Sequence, residues 1–275
     1  MTEKYDIRPE QSVELLKALH ILTRDGKLNQ DSRRKLKQVY HLFNFIEPLL
    51  QDALQAHPEI SLVDHGAGKS YLGFILYDLF FKANAPAGSI YGIETREELV
   101  QHSKELAGRC GFGGMQFLNL SVADSISSAA LPPQVDIVTA LHACNTATDD
   151  AIRFALEKRA RHIVLVPCCQ AEVASVLRKN KQQALKSPLA EIWRHPIHTR
   201  EFGSQITNVL RCLQLEAHGY QVTVTELVGW EHSMKNELIV ASYKNLPRRK
   251  PAERLTAVLG ELGLQELGER FYTSP

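Results

Sequence analysis

Residues 62 to 70 read LVDHGAGKS, a short apolar run that ends in an acidic residue and then breaks into two glycines one position apart. Gly66 and Gly68 lack a Cβ, so the backbone there can bend tightly and approach a ligand closely. Between a strand and a helix, such a turn aims backbone N–H groups at whatever lies over the helix N-terminus, which suits a nucleotide-like molecule. Spacing separates the turns that work in this way. A P-loop needs a glycine five positions before Gly68, where the chain has Val63. A dinucleotide fingerprint needs its third glycine where the chain has Tyr71. The pattern that remains is acidic-x-Gly-x-Gly, Asp64 to Gly68.

Moving outward from the turn, short apolar runs alternate with stretches of helical spacing. The runs are Ile60 to Val63, Ser89 to Ile93, Met115 to Leu120, Asp136 to Ala140, Arg161 to Val166, Tyr220 to Leu227 and Glu237 to Ser242. Strands alternating with helices predict an α/β fold, a doubly wound, Rossmann-like, seven-stranded sheet. The last two runs flank GWEHSMKN, too short a gap for the helix of a parallel crossover. They are expected to form a hairpin that leaves the last strand antiparallel.

Before the first run, residues 9 to 23 and 30 to 56 read as helices. In the second, Leu36, Val39, Phe43, Ile46 and Leu50 fall on one face. Asn29 to Ser32 offers capping side chains, and Pro48 is expected to kink or divide the helix. The predicted organisation is a helical N-terminal extension over 1–56, the sheet domain over 57–246, and a linker with a C-terminal helix, Ala252 to Leu267, over 247–275.

Composition excludes several classes. A chain of 275 residues, 44% hydrophobic and 23% charged, can bury a full core, and it holds no apolar run near the roughly 20 residues a bilayer crossing needs. The polar start, MTEKYDIRPEQS, has no secretory signature, so a cytoplasmic location and no membrane partner are expected. Five cysteines, two of them adjacent at Cys168 and Cys169, fit reduced thiols better than a disulfide framework.

The acidic-x-Gly-x-Gly turn, followed by a second strand that ends in Glu94, resembles the class I S-adenosylmethionine (SAM)-dependent methyltransferases. LHACNTATDDA, from Leu141, together with VPCCQ, from Val166, resembles the branch called methyltransferase domain type 32. SMKNELIVA, with Lys235 and Asn236, resembles that branch's closing hairpin. The resemblance covers roughly residues 30 to 245 and implies SAM as cofactor. It implies that Asp64 holds the cofactor's ammonium, directly or through water, and that Gly66, Ala67 and Gly68 line its methionine and ribose. Glu94 would accept hydrogen bonds from the two ribose hydroxyls, which a carboxylate can do at once. Ser121 and Val122, opening SVAD, take the place of the adenine contact, with Asp124 set slightly late, and Leu141 is a further cofactor-binding position. Ser70 stands where the family usually has a third glycine.

In open α/β sheets, ligands bind beyond the carboxyl ends of the strands, so the segments after the fourth and fifth runs face the transferred methyl. Methyl transfer at a sulfonium needs alignment and, for a protic acceptor, a base. His142 can serve as that base, or it can orient a neighbour at the edge of the core. Asn145 completes the first segment. With His142, the thiols of Cys144, Cys168 and Cys169 admit a zinc site, although CxxC spacing is absent. They also admit a thiolate that attacks a pyrimidine ring before methylation. The third reading is a small apolar turn under the pocket; no metal is expected.

Charge is uneven along the chain. Net charge is +1, yet residues 151 to 200 carry ten Lys/Arg against three Asp/Glu. Arg33, Arg34, Lys35 and Lys37, and again Arg178, Lys179, Lys181 and Lys186, form groups that could neutralise phosphates, so RNA is an expected partner beside a plain solvated surface. Trp193, His195, His198 and Arg200 could line an acceptor pocket or simply pack against the sheet.

Overall fold

The structure is a computed structural model that describes residues 7–8, 10–141, 145–167, 170–180, 188–227, 237–245 and 250–273. Its strands are β1 (Ser61–His65), β2 (Ser89–Glu94), β3 (Met115–Asn119), β4 (Ile137–Ala140), β5 (His162–Leu165), β6 (Tyr220–Glu226) and β7 (Glu237–Tyr243). They form one sheet in the order β3-β2-β1-β4-β5-β7-β6. β1 to β5 are parallel, and β7 inserts between β5 and β6 antiparallel to both. The seven expected runs and the reversed last strand are all present, each bound within two residues of the expected one.

Alternation along the strands explains why both faces of the sheet are covered. Leu62, Ile137, Val164 and Leu238 point to one face, where they join α1 (Val13–Ala18), α2 (Gln30–Ala56), α3 (Tyr71–Leu76) and α4 (Glu97–Cys110) in a core that includes Leu16, Phe43, Phe74 and Leu106. Val63, Val138, Ile163 and Ile239 point to the other, against α5 (Val122–Ile126) and α6 (Thr146–Glu157), with Val122, Ile152 and Phe154. The N-terminal helices therefore complete the sheet's own core.

Three expectations about helices change. The first helix spans only Val13–Ala18, opened by the Ser12 side chain, which accepts from Leu15 N. The second is not divided at Pro48: one helix runs through it for 27 residues. Proline removes one helical hydrogen bond, but Pro48 is exposed, so water can serve the freed carbonyl. Phe43 and Ile46 before it, and Leu50 and Ala53 after it, pin both halves to the same core. The C-terminal helix is α9 (Pro251–Glu261), followed by a separate 3-10 turn at Gln265–Leu267.

That helix has a clear role. With α7 (Glu172–Lys179) and α8 (Pro196–Ala217) it encloses a third core of Val173, Leu177, Trp193, Leu210, Leu255, Leu259 and Phe271. α7 and α8 touch at Gly203, where a Cβ would lie 2.7 Å from the Ala174 nitrogen. Among the described residues, no helix is long and apolar enough to cross a membrane.

Candidate functional site

The glycine turn stands at the carboxyl end of β1, near the middle of the sheet, where the strand order reverses between β1 and β4. Gly66 and Gly68 both have positive φ, 63° and 59°. Ser70, in the place of the family's third glycine, is also left-handed, at φ 53° and ψ 33°. That is the conformation glycine adopts without cost, so the serine keeps the path of the turn. The Ser70 amide donates to the Ala67 carbonyl at 2.7 Å, and the Ala67 amide donates to the Ile93 carbonyl at 3.0 Å, fastening the turn to β2. On β2, Gly92 faces the same region; a Cβ there would lie 3.0 Å from Ser70 Oγ.

Asp64 sits between Gly92 on β2 and Thr139 on β4 in the sheet register. It is buried, and Thr139 Oγ1 donates to its Oδ1 at 2.7 Å. Burial pushes its pKa up to about 7, against the opposing pull of that hydrogen bond. Next in the chain, His65 points to the opposite face, edge-on to Phe154 with Nε2 3.1 Å from Ser125 Oγ. Burial drives its pKa down to about 3, so it stays neutral.

Glu94 ends β2 beside the turn. The Gly68 amide donates to its Oε2 at 2.8 Å, and Arg96 donates to its Oε1 from the backbone and from Nε, each at 3.0 Å. Burial works against the Glu94 charge, but the hydrogen bonds from Arg96 and Gly68 outweigh it and lower its pKa. Asn119 donates to the carbonyls of Glu94 and Thr95, holding the strand end in place. The Arg96 contact is exposed on the arginine side, so this ion pair adds little to stability.

Ser121 caps α5 by accepting from the Asp124 amide at 3.0 Å, and the Asp124 carboxylate turns back to Ser121 Oγ. Asp124 is thus engaged in a helix cap. Val122 is buried against the sheet, and Leu141, continuing the Ile137, Thr139 alternation, packs on the same face as Asp64. Asp64, Gly66, Ala67, Gly68, Glu94, Ser121, Val122 and Leu141 all lie at or just beyond the carboxyl ends of β1 to β4. The open glycine turn flanked by two carboxylates fits a cofactor with a cationic tail and a vicinal diol.

Of the residues assigned to chemistry, His142, Cys144, Cys168 and Cys169 lie outside the described residues, as do Lys235 and Asn236. Among the described residues, no three His, Cys, Asp or Glu side chains gather as a metal site. Asn145 is described. Its backbone is strained, at φ 55° and ψ −125°, and its Oδ1 accepts from the Ala171 amide at 3.2 Å, tying the segment after β4 to the one after β5.

Three residues here escaped the sequence reading. Thr139 is a hydroxyl in the otherwise apolar strand IVTA, beside Asp64 in register. Arg96 follows the expected ribose carboxylate by two positions. Arg211 is fully buried and makes a two-pronged ion pair with Asp149, at 2.6 and 3.1 Å. Its signal was the spacing of Thr207, Asn208, Arg211 and Gln214, a polar stripe at helical intervals that proves buried. Trp193 is also buried, beside Phe202 in the core under α7, α8 and α9 rather than against the sheet or in a pocket. His195, His198 and Arg200 are exposed.

A family model described as a methyltransferase domain matches residues 34–176. The glutathione S-transferase C-terminal domain-containing protein of Bos taurus is 25% identical over 235 residues, and that of Homo sapiens 24%. Each match covers 79% of this chain and 34% of the relative, so the chain spans about a third of the length of these relatives. Among solved structures, the Podospora anserina methyltransferase PaMTH1 is similar with a TM-score of 0.48 and 10% identity, covering 85% of this chain and 88% of that one. Magnesium protoporphyrin IX methyltransferase from Synechocystis is similar with a TM-score of 0.46 and 14% identity, covering 85% and 96%.

Proposed function

We propose, from the premise that the chain belongs to the methyltransferase-domain family and takes SAM as its cofactor, that it transfers the SAM methyl group to RNA. SAM supplies an electrophilic methyl on a sulfonium. The observation that carries the methyl-donor reading is the arrangement of Asp64, the left-handed glycine turn and Glu94 at adjacent strand ends. Asp64 would hold the ammonium, Glu94 the ribose hydroxyls, and Gly66 to Gly68 the close backbone approach between them. The acceptor would meet the methyl where the segments after β4 and β5 converge, with His142 as the base to test first.

RNA as acceptor is supported by charge. Arg33, Arg34 and Lys37 are exposed in the first turns of α2, and Arg178 and Lys179 are exposed at the end of α7. Such groups gain affinity for phosphates by releasing counterions.

The test is incubation with methyl-labelled SAM and separate RNA, protein and metabolite fractions from cells lacking the gene. Label should enter RNA and be removed by ribonuclease but not by protease. Label in protein or metabolites alone would replace RNA as the acceptor. SAM binding with label in no fraction would replace catalysis by a regulatory, SAM-binding role.

A further inference from the structure

We infer that Arg211 is a positioning residue for methyl transfer: its buried guanidinium locks the segment that follows β4 to the segment that follows β5. The inference rests on the reading above that these two segments face the acceptor.

A guanidinium has five N–H donors in a rigid plane. All five find acceptors, on separate pieces of chain. Nε donates to Asp149 Oδ1 at 2.6 Å. One terminal nitrogen donates to Asp149 Oδ2 at 3.1 Å and to the Asn145 carbonyl at 3.0 Å. The other donates to Gln170 Oε1 at 2.6 Å and to Asn208 Oδ1 at 3.3 Å. Asn145 closes the segment after β4, Asp149 lies in the first turns of α6, and Gln170 belongs to the segment after β5. The anchor itself is on α8.

The surrounding bonds extend the brace. Gln170 Nε2 donates to Asn208 Oδ1 at 2.8 Å and to Ser204, and Asn208 Nδ2 donates to Glu237 Oε2 at 2.7 Å, at the start of β7. Asn145 is held from both sides, its carbonyl by Arg211 and its side chain by the Ala171 amide. That double hold keeps a strained backbone in place, as functional segments often require. A buried ion pair is a poor way to gain stability over apolar packing, so its use here is better explained by the geometry it fixes. A lysine could keep the charge opposite Asp149 but has three donors on a point charge and cannot reach all these partners in one plane.

Two variants test this, Arg211→Lys and Gln170→Met, the second removing the bonds of Gln170 to Arg211, Asn208 and Ser204. Hydrogen exchange is read on peptides covering 141–146, 167–172 and 62–70. In Arg211→Lys both strand-end segments should exchange about tenfold faster while 62–70 is unchanged; in Gln170→Met only 167–172 should change. S-adenosylhomocysteine affinity should stay within about twofold, while kcat on the fraction that wild type labels falls roughly tenfold to a hundredfold at unchanged SAM KM. A uniform rise in exchange across all peptides, or unchanged exchange in both segments, would overturn the inference. If wild type labels no fraction, the proposed function fails and with it the role in methyl transfer, while the exchange pattern still decides whether Arg211 braces the two segments.

Discussion

On the β1 and β2 side of the site, the turn from Asp64 to Ser70 is held by bonds within itself and to the neighbouring strand, such as Ser70 to Ala67 and Gly68 to Glu94. On the β4 and β5 side, Asn145 and Gln170 are held by Arg211, 66 and 41 positions away in sequence. The first side is held by β1, by β2 and, through Thr139 bonded to Asp64, by β4. The second needs α8 docked across the end of the sheet. On the proposed reading, the cofactor side is held by backbone and a few fixed residues, whereas the acceptor side is set by side chains that other helices deliver.

The sharpest way to break this contrast is to remove one charge from each side. Asp149→Ala leaves the Arg211 guanidinium buried without its carboxylate, and should cost about 3–5 kcal/mol of stability in urea titration. Glu94→Gln keeps an acceptor for the Gly68 amide and loses an ion pair whose arginine is largely exposed, so it should cost no more than about 1 kcal/mol. Equal losses would mean that the two sides are braced alike.

The same contrast explains what could be read from the sequence. The seven strands and the glycine turn were legible because each is written locally, as an apolar run or a glycine spacing. Glu94 was legible because it ends such a run. Arg211 was not, since a charged residue on a long helix reads as solvated until a neighbouring segment covers it. Thr207, Asn208 and Gln214 are hidden in the same way. Trp193 misled for the opposite reason: an aromatic beside histidines suggests a pocket, and only the docking of α9 shows that it fills a core. Pro48 does not divide α2 because the cost of a missing helical bond is local, while the apolar stripe that outweighs it spans the whole helix.

A pH series sharpens the methyl-donor half. Asp64 has a folded pKa of about 7, above its ordinary value of 3.8. The native state therefore keeps a proton between those limits that the unfolded chain has lost. Stability of the cofactor-free protein from this group should fall as pH rises through that window, and Asp64→Asn should remove the slope. A cationic ammonium needs the carboxylate, so SAM affinity should drop about tenfold per pH unit below 7, with about half a proton released per SAM bound at pH 7. Calorimetry in buffers of different ionisation heat reads that proton directly. Affinity that stays flat from about pH 6 to 8 would remove Asp64 from contact with the ammonium.

The smallest expected effect compares the two strained residues. Ser70 is left-handed at φ 53°, where an L-residue pays about 1–2 kcal/mol that glycine does not. Glycine gives back part of this through the entropy of the unfolded chain, so Ser70→Gly should raise stability by about 0.5–1 kcal/mol. Asn145 at φ 55° and ψ −125° is further from any comfortable region, and glycine would relieve more strain there. Yet Asn145→Gly also deletes the acceptor of the Ala171 amide, worth about 0.5–1.5 kcal/mol. Its net gain in thermal melts should therefore be smaller than that of Ser70→Gly, even though its strain is greater. A gain as large as that of Ser70→Gly, or larger, would show that strain relief at Asn145 outweighs the bridge between the β4 and β5 segments, and the difference between the two sides would rest chiefly on Arg211.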